Sequence, residues 1–280
     1  MRIKTMRSKA VDALLKALTY LAAILTVGVL LYIVAYILVK GVPYLKPSLF
    51  ALNYTSENVS MLPAIITTVF ATFLSLLLAL PIGIFSAVYL TEYARRGNKA
   101  VKLIRTTTET LSGIPSIVYG LFGLLFFVSF LGWRTSVLAG AFTLSIMILP
   151  LVMRSTEEAL MSVPDSYREG SFSLGAGRLR TIFRVVLPSA VPGILAGVIL
   201  AIGRIVGETA ALIYTAGTVA KIPGSAMDSA RTLSVHMYAL SSEGLHTNEA
   251  YATAVVLLIL VLGLNTVSAM IAKRMGGGTR

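Results

Sequence analysis

Of 280 residues, 56% are hydrophobic and only 13% are charged, and the mean hydropathy is +0.83. Lipid rather than water must therefore surround most of the chain, which excludes an ordinary soluble domain. The formal charge of +12 does not argue for nucleic acid, because the basic residues fall between apolar runs where topology and anionic headgroups account for them, and the absence of cysteine excludes disulfides, thiol catalysis and cysteine metal sites.

The apolar runs lack the alternation of a barrel strand and reach the ~20 residues that a helix needs to cross a bilayer, so an all-α polytopic membrane fold is expected. Residues 1–17 form a basic arm with Arg2, Lys4, Arg7, Lys9 and Lys16. The run Leu18–Val39 behind it exceeds the ~7–15 residues of a cleavable signal and ends at Lys40-Gly41-Val42-Pro43, so it stays as the first transmembrane helix, 18–39. Further spans are predicted near 62–90, 114–133, 136–153, 187–214 and 252–272, making six, with 62–272 as the core domain. Pro81 and Gly83 predict a kink or tilt in the second.

With the N-terminus inside, Lys and Arg divide 18 to 5 between inner and outer segments, Arg204 being left within a span. That asymmetry places both termini in the cytoplasm of an inner-membrane protein. Two connections exceed simple turns, a cytoplasmic loop 154–186 and an external loop 215–251. Gly276-Gly277-Gly278 reads as a small flexible tail.

In the cytoplasmic loop Ser166-x-x-Glu169 has capping-box spacing, and Gly175 offers a helix stop. A second pattern then puts Leu179, Ile182 and Val186 on one face and Arg180 and Arg184 on another. Periodicity alone leaves two readings: a basic amphipathic segment lying on the membrane, or a short hairpin presented to a soluble partner.

Glu169-Gly170-Ser171, then Gly175, then Val185-Val186-Leu187-Pro188 resembles the EAA loop of bacterial ABC importer permeases, E-A-A-x-x-x-G-x(9)-I-x-L-P. Gly170 and Ser171 stand where alanines are usual, and Val185 where isoleucine is usual. In that family the loop forms a coupling helix seated in a cleft of the ATP-binding subunit. Tyr89–Ala94, Ile114–Gly123 and Gly203–Ala210 are similar to segments of phosphate-import permeases, and Leu187–Ile194 looks more like the PstA-type subunit than its PstC-type sister.

The resemblance implies a type I ABC importer permease fold that moves inorganic phosphate. It also implies a PstC-type second permease, two PstB-type ATP-binding subunits and a PstS-type external phosphate-binding protein. The external loop 215–251 would be a contact for that binding protein. No cofactor is expected in this chain, ATP being bound by the partner ATPase.

In the fifth span Arg204 and Glu208 stand four apart and can pair along one helix face. From Leu187, ~1.5 Å per residue puts Arg204 about 25 Å along the helix, in the outer half of the bilayer. An ionisable group that deep costs about 2.5–3.5 kcal/mol on insertion scales, so it faces the bundle interior or a wet cavity. One reading is a snorkelling or structural pair. In the other they line the transport pathway, Arg204 contacting an anion in passage and Glu208 serving as counter-ion when the site is empty. Gly193-x-x-x-Gly197 and Gly203-x-x-x-Gly207 on the same helix read as close packing, a second permease subunit being one candidate for the neighbour.

His236 and His246 have no metal-ligand spacing and read as solvated loop histidines. Ser116 lacks a nearby base, and no catalytic constellation is present. The Walker A motif requires Gly-Lys, which occurs nowhere. Energy must then come from a separate subunit, and the chain is not expected to be an enzyme. The competing readings are an ABC permease for molybdate or sulfate, a gradient-driven secondary transporter and, less favoured, a membrane-embedded enzyme.

Overall fold

The computed structural model describes residues 2–95 and 97–276, with side chains over 11–95 and 97–271. Arg96, Gly277, Gly278 and Arg280, and the side chains of Arg2, Lys4, Arg7, Lys9, Lys273 and Arg274, lie outside the described residues. Within them there are helices and no strand. In chain order they are α1 (Arg2–Gly41), α2 (Leu62–Val88), α3 (Lys99–Ser112), α4 (Ser116–Gly123), α5 (Val137–Met161), α6 (Asp165–Ser173), α7 (Arg178–Thr181), α8 (Leu187–Gly207), α9 (Ala210–Thr215), α10 (Leu233–Glu243) and α11 (Thr247–Gly276).

Five segments are long and apolar enough to cross a membrane: Val11–Tyr44, Leu62–Tyr93, Val137–Met161, Arg178–Gly207 and Thr247–Ile271. A sixth arises if α3 and the segment Ser116–Phe130 are taken as one broken span, bent by 101°. The expected span 114–133 is thus shorter than drawn. Its helical part has about 15 residues, ~22 Å at 1.5 Å each, against ~30 Å of hydrocarbon. The break falls at Gly113-Ile114-Pro115, with Pro115 extended at φ −58° and ψ 141°. Ahead of it lies α3, an amphipathic helix in an inner segment where the sequence predicts no span. Its start is capped by Asn98, whose side chain accepts from the Ala100 amide at 2.9 Å.

Other boundaries also move. The basic arm continues without a break into α1, and the last helix begins at Thr247 rather than 252. The loop expected over 154–186 is mostly helical, since α5 runs to Met161 and α7 leads straight into α8. The run 187–214 is broken after Gly207, where Glu208 turns extended at φ −71° and ψ 128°.

The core is built on α5, which packs against α2 on one side and α8 on the other. Ala79, Leu144, Ile148, Ala201 and Leu212 meet there. Small residues allow the close approach: a Cβ on Gly193 would lie 2.7 Å from Ala159 Cβ, and one on Gly197 would collide with the Ser155 hydroxyl. The first Gly-x-x-x-Gly pair is therefore used within the chain, whereas Gly203 and Gly207 face open space among the described residues. Helix α11 covers α8 through Leu257 and Val261 against Val198, Ile202 and Val206. Helix α1 touches α11 near its end, Tyr36 meeting Tyr251 edge-on at 5.9 Å, while Leu21, Ile24, Leu25 and Leu31 are exposed as suits a lipid-facing helix.

At the opposite end from α6, the segment 216–231 folds back on itself. Ala230 and Arg231 donate their amides to Ala216 O and Val219 O at 3.2 and 2.9 Å. The same segment and α9 satisfy the orphan amides that begin α5: Ser136 N, Val137 N and Leu138 N donate to Thr215 O, Asp228 O and Ala226 O at 2.7–2.9 Å. Beneath it His236 is fully buried, which corrects its reading as a solvated histidine. It lies edge-on to Tyr54 at 6.2 Å, and Arg231 stacks its guanidinium 4.6 Å from the same ring. His246 is the more open of the two, 3.8 Å from Glu249.

Candidate functional site

The hairpin expected around Glu169 is present, with different chemistry at its start. Helix α6 begins at Asp165 behind Pro164, so Ser166 is already inside the helix and there is no side-chain cap. The capping-box expectation for Ser166 and Glu169 is corrected on that ground. Proline disfavours helical backbone at the residue before it, so Pro164 separates α5 from α6 and sets where α6 starts. The stop matches expectation: Gly175 adopts φ +80°, its amide donates to Phe172 O at 2.9 Å, and Ala176 N donates to Ser171 O at 3.1 Å. These are the paired bonds of a Schellman motif.

Glu169 and Gly170 are exposed, and a Cβ on Gly170 would meet nothing within 4 Å. Ser171 has a structural use that alanine could not supply, its hydroxyl lying 2.9 Å from that of Thr181 on α7. Tyr167, Phe172, Leu174 and Leu179 expose apolar surface around the hairpin. Leu187 and Pro188 open α8. Proline has no amide hydrogen and its ring crowds the carbonyl four residues back, here Arg184. The chain widens ahead of it into a π-type coil over Ile182–Val186, in which Leu187 N reaches back to Ile182 O.

Two arginines of the hairpin converge on the end of α2, where Tyr89–Tyr93 forms another π-type turn. Arg168 Nη2 and Nε donate to Glu92 Oε1 at 2.6 and 3.2 Å. Arg168 also donates to Val163 O at 2.8 Å and Leu160 O at 3.0 Å, with Asp165 Oδ1 at 3.3 Å. The hydrogen bond that Arg168 donates to Glu92 is the main reason that the Arg168 pKa is raised, so the guanidinium stays charged. Arg178, from α7, donates to the Glu92 carbonyl and lies 5.0 Å from the Tyr93 ring. Sequence reasoning missed the contact of Arg168 with Glu92, because 76 residues separate its partners. The one available signal was a carboxylate, Glu92, at the end of an apolar run.

Beside the hairpin opens a cavity of about 1570 Å³ bounded by the turn that follows α2, by α3, by α5 and by the hairpin itself, with Arg204 reaching it from α8. Eight basic and five acidic residues line it. The acids are engaged: Glu157 with Arg105 at 3.1 Å, Glu158 and Glu109 with Arg154 at 3.1 and 3.9 Å, and Glu92 and Asp165 with Arg168. Arg95, Lys99, Lys102 and Arg204 have no carboxylate partner among the described residues. The unbalanced charge is positive, so the cavity attracts anions.

Arg204 lines this cavity from α8, partly buried. Glu208 does not join it there. Because α8 ends at Gly207, Glu208 leaves the face that would pair it with Arg204 and is buried against the next element. Its Oε1 accepts from Ala211 N at 3.1 Å, and its carbonyl accepts from the Ser234 hydroxyl at 2.5 Å. The structure thus brings Arg204 to the cavity wall and assigns the Glu208 carboxylate to the start of α9.

Residues 79–277 match the family described as binding-protein-dependent transport system inner membrane component. The chain belongs to that family. As a whole this inner membrane component is similar to the probable ABC transporter permease protein YqgI of Bacillus subtilis, 35% identical over 93% of this chain and 94% of the relative. It is also similar to the phosphate transport system permease protein PstA of Haemophilus influenzae, 33% identical over 92% of each chain, and to that of Pasteurella multocida, 35% identical over 92% of each. Among solved structures, the inward-facing MetNI methionine ABC transporter superposes with a TM-score of 0.59 at 20% identity, over 77% of this chain and 94% of that one. An ABC transporter for the acidic polysaccharide alginate superposes at 0.56 and 18% identity, over 91% and 96%. The architecture is that of a type I ABC importer permease, all-α and multi-pass.

Proposed function

We propose that this inner membrane component is the PstA-type permease of an importer that carries inorganic phosphate into the cell. The observation that carries the reading is Arg204, a guanidinium without a carboxylate partner among the described residues, on a cationic cavity that opens beside the coupling hairpin. A planar guanidinium suits bidentate contact with a phosphate oxyanion. The full-length likeness to PstA proteins narrows the oxyanion to phosphate.

In this reading both termini and α6 are cytoplasmic, following the 18-to-5 division of basic residues. A PstB-type ATPase pair seats the hairpin through Tyr167, Phe172, Leu174 and Leu179, exposed apolar side chains of the kind a soluble partner covers. A PstC-type permease completes the pathway, and a PstS-type protein delivers phosphate at the opposite face. The chain itself is not an enzyme and holds no cofactor, ATP being bound by the ATPase.

The test is uptake of radiolabelled phosphate against sulfate by the assembled complex in vesicles. ATP-dependent phosphate uptake should be lost in Arg204→Gln while the complex still assembles and binds its ATPase. Normal uptake in that variant, or preference for sulfate, would remove the reading.

A further inference from the structure

Helix α6 has no buried residue of its own. It joins α5 through Ser162-Val163-Pro164 and α7 through Leu174-Gly175-Ala176-Gly177, where Gly175 has positive φ and a Cβ at Gly177 would meet nothing within 4 Å. An element attached by two short joints and without a core of its own transmits little force unless polar contacts tie it down. The contact to Glu92 is the strongest candidate. Arg168 and Glu92 are 16% and 9% exposed at the side chain, so their bond is shielded from water where surface pairs are not. The same guanidinium grips Leu160 O at the end of α5 and Val163 O in the joint. From the other arm of the hairpin Arg178 holds the Glu92 carbonyl, so both arms close on one residue of the π-type turn that continues α2.

Glu92 also stands on the wall of the cavity, together with Leu90, Thr91 and Ala94 from the same end of α2. A displacement of α6 that preserves the Arg168 bonds therefore has to carry the ends of α2 and α5 with it.

We propose that Arg168 and Glu92 form a tie that persists through the transport cycle and makes the coupling hairpin move the α2 and α5 walls of the cavity, not α8 alone. The inference rests on the hairpin being the entry point for ATPase force. Arg168 and Glu92 are positioning residues in it, touching neither nucleotide nor transported anion.

The sequence contains no cysteine, so a covalent substitute can be introduced cleanly. The assembled importer in vesicles would be compared as wild type, Glu92→Gln, Arg168→Gln and the double variant Glu92→Cys with Arg168→Cys, the last before and after a short bifunctional thiol crosslinker. The readout is phosphate transported per ATP hydrolysed, which loss of fold alone would not shift, because an unassembled complex loses both together. Each single variant should lower that ratio by about tenfold while hydrolysis continues, the scale of losing a charge-assisted contact. Crosslinking the double variant should restore the ratio. A ratio unchanged in Glu92→Gln and Arg168→Gln, or a crosslink that stops uptake because the two residues must separate, overturns the tie. Absence of ATP-driven uptake by the wild type would instead fail the importer reading on which it stands.

Discussion

The carboxylate of Glu208 accepts a hydrogen bond from the amide of Ala211 at 3.1 Å, and among the described residues it makes no ion pair with Arg204. A side chain that caps the start of a helix needs an acceptor oxygen, not a charge. Glu208→Gln keeps that oxygen and should leave phosphate uptake within about twofold of wild type, whereas Glu208→Ala should cost about 1 kcal/mol of stability. Thermal melts of the purified complex beside uptake rates separate the two. A large loss of uptake in Glu208→Gln would return the residue to a counter-ion role.

The two Gly-x-x-x-Gly pairs of α8 should respond in opposite ways. Gly197 lies against Ser155 with no room for a side chain, so Gly197→Val should force α5 and α8 apart and cost about 1–3 kcal/mol, the usual penalty of overpacking. Gly203 meets nothing within 4 Å, so Gly203→Ala should change stability by no more than about 0.5 kcal/mol. Melting of the isolated chain in detergent tests this, and equal sensitivity at both positions would contradict the packing described. A defect of Gly203→Ala confined to the assembled complex would mark the open face as a subunit contact.

Within the hairpin, Gly175 has φ +80° whereas Gly170 sits in regular helix with free space around it. A Cβ in left-handed backbone costs roughly 1–2 kcal/mol, so Gly175→Ala should loosen the Schellman stop and lower the yield of phosphate per ATP. Gly170→Ala installs the residue usual in the EAA pattern and should be tolerated. If coupling survives Gly175→Ala unchanged, the stop is not needed to hold the hairpin.

His236, which does not line the cavity, gives the chain an acid-sensitive point. Burial chiefly, then the positive charge of Arg231, lowers its pKa from 6.5 to about 3, with only a minor opposing pull from the Val59 backbone. Below pH 6.5 the unfolded chain gains a proton at this residue that the folded chain refuses. Stability is therefore full above that pH and falls on acidification, by about 1.4 kcal/mol per pH unit, until the folded-state value is reached. His236→Phe keeps an aromatic ring beside Tyr54 and removes the titrating group, so it should flatten the slope. Denaturation midpoints measured from about pH 7 to about pH 5 decide it; parallel slopes for the two proteins would clear His236 of responsibility.

Hydropathy and period were enough to read membrane residence, five of the helical spans and the stop at Gly175, because each is written in consecutive residues. They failed where local signals compete. Helix α3 was missed because its amphipathic face is short and polar beside long apolar runs. The cap at Ser166 was misplaced because Pro164, two residues earlier, dictates the start of α6.

What the sequence by itself determined is the kind of protein: a lipid-embedded helical bundle, with a hairpin of EAA spacing and an arginine deep in one apolar run. Tertiary structure alone decided which polar groups meet. It assigned Glu208 to Ala211 and left Arg204 facing the cavity, buried His236 beside Arg231, and joined Arg168 to Glu92 across 76 residues. Helix periodicity specifies which face a side chain occupies. Its partner depends on where neighbouring helices end and how closely they pack, which residues such as Gly207 and Gly197 settle only in three dimensions.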